Sequence, residues 1–69
     1  MSKPPVFTAA EKSKCALREL HHRRRAYPRW IVAGRYTQEK ADFEIAIMSA
    51  ILSDYANQAE IEDAAGRLL

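Results

Sequence analysis

Ala41-Asp42-Phe43-Glu44-Ile45-Ala46-Ile47-Met48-Ser49-Ala50-Ile51-Leu52-Ser53-Asp54-Tyr55 carries the periodicity that decides the fold. Ala41, Ile45, Met48, Leu52 and Tyr55 recur at alternating steps of four and three, which lines them along one seam of an α-helix. Phe43, Ile47, Ala50 and Ile51 form a second apolar stripe beside the first. One antiparallel neighbour covers one stripe, so the apolar face is wider than a single partner helix requires.

Upstream of this helix the chain is punctuated clearly. Gly34 fits the left-handed position that ends a helix, and Thr37, with Glu39 behind it, suits the start of the next. Thr8-Ala9-Ala10-Glu11 is a capping-box pattern, so a first helix is expected from about Ala9 to Ala33. Leu17, Leu20, Tyr27 and Ile31 form its apolar stripe, interrupted by Arg24. Pro28 removes one backbone donor inside that helix and predicts a kink or break just before it. Downstream, Asn57-Gln58 is expected to bend or end the second helix, with Ile61, Ala64, Ala65 and Leu68 forming a weaker pattern.

The short connection predicts an all-α fold, an antiparallel helical hairpin with a proline kink in helix one. Residues 1–7, with two prolines, form a flexible lead-in docked through Val6 and Phe7, and residues 8–69 one domain. In the hairpin Asp42 and Glu44 come within reach of Arg25 and Arg29. The uncovered stripe predicts a homodimer through Phe43, Ile47, Ala50 and Ile51.

Length and composition narrow the function classes. A chain of 69 residues holds one thin core, and chains this small usually need a staple or a partner copy. The single cysteine, Cys15, leaves no internal disulfide and suits a reducing cytosol. No apolar run follows the first residues as in a signal peptide, and Ile45 to Leu52 is too short to span a bilayer. The expectation is a cytoplasmic protein without a membrane segment. The net charge of +2 conceals a split: nine Lys or Arg and two acids from Met1 to Tyr36, then two basic residues and seven acids from Thr37 onward. Two oppositely charged helices lying together explain this split, and a nucleic-acid face is the rival explanation.

His21-His22-Arg23-Arg24-Arg25-Ala26-Tyr27-Pro28-Arg29-Trp30 is the stretch that packing alone does not use up. Arg, Tyr and Trp dominate binding hot spots because they cover area and hydrogen-bond at low entropic cost. Arg23, Arg24, Tyr27, Arg29 and Trp30 are therefore the candidate partner-binding residues, with Trp30 either an exposed anchor or a cover for the hairpin end. Catalysis finds little support. Glu19-Leu20-His21-His22 supplies one half of a di-iron carboxylate pattern and the chain has no other histidine. Cys15 with either histidine lacks zinc spacing, and no phosphate loop or nucleophile motif is present. A non-enzyme without cofactor or metal is expected.

Arg23-Arg24-Arg25-x-Tyr27-Pro28-Arg29-Trp30-Ile31-x-x-Gly34-Arg35, followed by Thr37-x-x-Lys40-Ala41-x-x-Glu44-Ile45-x-x-Met48-x-Ala50-Ile51, resembles a family of small phage and prophage proteins. The resemblance covers Leu17 to Tyr55 and implies a cytoplasmic helical hairpin without enzyme activity, from a temperate phage's early or accessory region. Host-takeover inhibitors share this build. Among them, the anti-quorum-sensing anti-activators form helical dimers that bind a LuxR-type transcriptional activator and a pilus-assembly ATPase. The resemblance thus implies a host bacterial protein as partner, and it assigns no binding residue in this chain. A nucleic-acid-binding accessory protein using the basic first helix, and a structural dimer or assembly factor, are the alternatives.

Overall fold

The computed structural model describes residues 6–68 and contains two α-helices, α1 (Ala9–Val32) and α2 (Gln38–Leu68), packed as an antiparallel hairpin. Of the lead-in expected over residues 1–7, residues 1–5 lie outside the described residues. Val6 is 95% exposed, so it does not dock. Phe7 is half covered and borders a shallow recess with Glu11, Lys12, Cys15 and Arg18.

Local chemistry sets each helix end. The Thr8 hydroxyl accepts the Glu11 amide at 3.1 Å, while the Glu11 carboxylate accepts the Thr8 amide at 3.0 Å. This reciprocal pair satisfies two amides that a helix start otherwise leaves bare. At the other end the Gly34 amide donates to the Ile31 carbonyl and the Arg35 amide to the Trp30 carbonyl. Those two bonds form a Schellman motif, and Gly34 takes the left-handed φ of +75° that it requires. Thr37 then caps α2, its hydroxyl accepting the Lys40 amide at 3.1 Å.

α1 runs through Pro28 without a break. Pro28 removes one donor and its ring crowds the Arg24 carbonyl, while the Schellman bonds beyond it hold the terminus. α2 is likewise continuous through Asn57-Gln58, so the end expected there does not occur. These residues cost only tenths of a kcal/mol in a helix (roughly 0.5 each), and Ala56 and Ala59 beside them are half-buried against α1.

The α2 side of the seam follows the expected heptad: Ala41 is buried, and Ile45, Met48, Leu52 and Tyr55 are half-buried. The α1 side differs from the large-residue stripe. Ala9, Ala16, Leu20, Ala26 and Tyr27 are buried, Arg23 is half-buried, and Leu17 is 42% exposed. Among the described residues four of the six buried apolar ones are alanines, so the helices approach closely while removing little apolar area from water. The molecule is 15 Å thick in its shortest dimension. That is one layer of helices, whereas stable domains pack at least two.

Candidate functional site

The Schellman turn reverses the chain so that Tyr36 folds back over the last turns of α1. Its ring stacks on Tyr27 at 4.8 Å between centroids and meets Trp30 edge-on at 5.9 Å. Tyr27 and Trp30 are themselves 5.4 Å apart, closing a three-ring cluster. Rings at these separations attract beyond their area burial, by about 0.5–1.5 kcal/mol per pair. Tyr27 is buried at the bottom, and burial first, then hydrogen bonding with Tyr36, pushes its hydroxyl above the ordinary 10.0. Trp30 crowns the cluster at 40% exposure. It is therefore both cover for the hairpin end and an exposed ring held in one orientation.

Beside the cluster lies a recess of about 380 Å³ whose walls include His22, Arg23, Trp30, Tyr36, Lys40 and Glu44. Its electrostatics are largely satisfied from within. Arg23 donates to Glu19 at 2.9 Å on its own helix and to Glu44 at 3.3 Å across the seam. The Arg23 hydrogen bond holds the Glu19 carboxyl below its ordinary 4.5. Lys40 stands over the Tyr36 ring, 5.0 Å from its centroid, close enough for a cation–π contact.

The candidate residues therefore divide. Tyr27 and Trp30 come together, with Tyr27 buried beneath and Trp30 exposed above. Arg23 turns inward and is spent on the seam, so it serves the fold before any partner. Arg24 lies on the opposite side of the hairpin, lining a second recess of about 310 Å³ with Pro28, Ile31 and Ile45. Arg29 is exposed on the outer side of α1. The expected pairing of Arg25 and Arg29 with Asp42 and Glu44 does not form: Glu44 is met by Arg23, and Asp42 accepts from Gln38 at 2.8 Å. Tyr36 and Lys40 belong to the site and went unread in the sequence. The signal was available, because Tyr36 stands just past a left-handed glycine, where residues fold back onto the helix they leave.

Phe43 is 62% exposed, Ile47 41% and Ile51 37%, and Ala50 is exposed beside them. This apolar stripe runs along the flank of α2, reaching the seam where Ile51 and Met48 meet Cys15 and Ala16. Among the described residues no three His, Cys, Asp or Glu side chains converge on a common point, and no helix is long and apolar enough to cross a membrane. Comparison with known protein families, with curated proteins and with solved structures finds no match to this chain.

Proposed function

We propose that this chain is a small phage-encoded interaction protein that binds and inhibits a host bacterial protein in the cytoplasm, and that it works as a homodimer. The observation that carries the reading is the exposed Trp30 ring fixed on the Tyr27–Tyr36 stack. A ring already held in place loses little freedom when a partner closes over it, and that is what makes tryptophan an anchor. Arg29 and Lys40 nearby supply a positive rim that favours an acidic partner surface and speeds encounter. The candidate targets, a LuxR-type quorum-sensing activator or a pilus-assembly ATPase, come from the resemblance alone.

Self-association is supported by the single 15 Å layer and by the bare Phe43, Ile47, Ala50 and Ile51 stripe. A second copy laid on that stripe would complete a two-layer bundle.

The test uses Trp30→Ala with two readouts, thermal stability and binding to purified candidate targets. The expected outcome is a loss of at least about 2 kcal/mol in binding, with helicity and self-association retained. If the variant loses its fold, or binds each target as tightly as the parent, the ring is cover and the α2 stripe becomes the better partner surface.

A further inference from the structure

The outer face of α1 carries a row of cations of which the fold uses none and the Trp30 surface only the last, Arg29. Taking 100° per residue, Lys14, Arg18, Arg25 and Arg29 fall within an arc of about 60°, on the side opposite the seam of Ala16, Leu20, Arg23 and Tyr27. All four are exposed. The row extends about 22 Å along the helix at 1.5 Å per residue. Among the described residues Arg18, Arg25 and Arg29 take part in no ion pair; the cross-seam ion pair is made by Arg23. The single carboxylate at the edge of the row, Glu11, is folded back onto Thr8, with Lys14 adding to the pull that lowers its pKa.

The opposite charge of α2 does not cancel this row. From Ala9 to Val32 the helix carries seven Lys or Arg and two acids; from Gln38 to Leu68 there are seven acids and two basic residues. The α2 axis runs about 8–10 Å from the α1 axis, and the row stands on the far side of α1. Its distance from the α2 acids exceeds the screening length of about 8 Å at physiological salt. A ligand approaching the back of α1 meets a cationic edge.

We infer that this edge binds the phosphate backbone of double-stranded nucleic acid, without reading its sequence. Three features select that ligand. Arginine forks match phosphate oxygens, and charges repeating every one to two helix turns suit a regular polyanion. The row holds no aromatic or large apolar anchor between Lys14 and Arg29, which a protein interface would need at its centre. Single strands are disfavoured because the rings that could stack on unpaired bases, Tyr27, Tyr36 and Trp30, are packed on one another on a different face of the hairpin. Binding driven by counterion release needs none of these anchors.

The experiment measures fluorescence anisotropy of a labelled 20-base-pair random-sequence DNA duplex from 50 to 200 mM salt. With about four phosphates neutralised, affinity should fall roughly 100-fold across that range. Lys14→Ala/Arg18→Ala/Arg25→Ala, which leaves Arg29 and Trp30 whole, should bind at least tenfold more weakly at 50 mM salt and lower the logarithmic salt slope by about 3. Alanine favours helix at these exposed positions, and circular dichroism confirms that the variant folds. A Lys14→Arg/Arg18→Lys/Arg25→Lys variant, which keeps the charge, should keep the slope and lose far less affinity than the alanine variant. No duplex binding at 50 mM salt overturns the inference, as does binding that the alanine variant leaves intact. Tighter binding to polyglutamate than to duplex also overturns it and assigns the row to an acidic protein. Because the alanine variant spares the Trp30 surface, its failure to bind duplex while still binding a host target separates this row from the proposed partner site.

Discussion

The Glu62 carboxylate accepts the backbone amide of Ala9 at 3.1 Å, joining the start of α1 to a residue fifty-three positions away on α2. It closes the end of the hairpin remote from the loop. Ala9 is buried, so its amide has little access to water, and an acid at a helix start also complements the helix dipole.

Removing that carboxylate should open the hairpin locally. Glu62→Ala is expected to cost about 0.5–1 kcal/mol, the usual value of a lost cap interaction. Glu62→Gln keeps a side-chain acceptor and should cost less. Hydrogen exchange at Ala9 and Ala10 should speed up in the alanine variant while amides near Tyr27 stay protected. Uniform acceleration along α1 would show that the contact does not act locally.

Acid should loosen the same end from the other side. The Thr8 amide and hydroxyl hold the Glu11 carboxyl below its ordinary 4.5. A depressed folded pKa means that the stabilisation is present above the unfolded value and is lost as pH falls through the folded one. Helicity at the start of α1 should therefore decline only below about pH 4.5. Glu11→Gln should flatten that decline in amide chemical shifts of residues 9 to 12. An unchanged profile in the variant would place the acid-sensitive group elsewhere.

Gly34 gives a sharper test of the turn that builds the aromatic cluster. Its φ of +75° is left-handed, while a Cβ placed there would meet nothing within 4 Å. Gly34→Ala is thus a pure backbone penalty, expected at about 1–2 kcal/mol. Gly34→Asn, which tolerates that region better, should cost less than alanine. Equal stability in all three would mean that the turn can adopt another conformation.

The parts of this fold that were legible in the sequence are those fixed by local chemistry. Thr8 with Glu11, Gly34 and Thr37 each act within four residues, and all three sit where their side chains or φ demand. The α2 heptad was legible because its residues are large. The α1 seam was not, since Ala9, Ala16 and Ala26 are apolar enough to bury and too small to mark a stripe. Leu17 drew the stripe about 60° off the true seam by the 100° rule. Arg25 and Arg29 were assigned to Asp42 and Glu44 by their level along the hairpin, counted from the turn; around the helix they stand opposite the seam, where the inward position belongs to Arg23. The aromatic cluster was half legible: Tyr27 and Trp30 stood among the candidate residues, while Tyr36 joins them through the fold-back after Gly34, a signal the spacing of α1 alone does not carry.

Arg23 occupies a seam position between Glu19 and Glu44 at 26% side-chain exposure. Its stem fills space among apolar neighbours while its head holds two carboxylates. Arg23→Ala should destabilise the hairpin, by about 1–2 kcal/mol, through lost packing and two released acids. Arg23→Met keeps the volume and should be close to neutral, because ion pairs of this exposure contribute about 0–1 kcal/mol. Chemical denaturation of both variants decides the matter. If methionine is as harmful as alanine, the charge itself holds the helices together.

The last expectation concerns the bare stripe on α2. Ile47 retains 41% exposure in the single hairpin and stands clear of the seam, which the stripe reaches only at Ile51, 37% exposed. In a dimer laid on this face Ile47 would be buried, and a carboxylate there would have no partner. Ile47→Asp should therefore leave a folded hairpin while shifting self-association by several kcal/mol, roughly 3 or more by the desolvation argument. Sedimentation at micromolar concentration reads the two species directly. The parent should sediment as a dimer and the variant as a helical monomer whose melting temperature no longer rises with concentration. Ala46→Asp, one residue away and also exposed, separates a specific seam from general repulsion, because it points off the Phe43–Ile47–Ile51 line. A parent that stays monomeric across the concentration range removes the dimer from the proposal, and the stripe would then be left to a partner of another sequence.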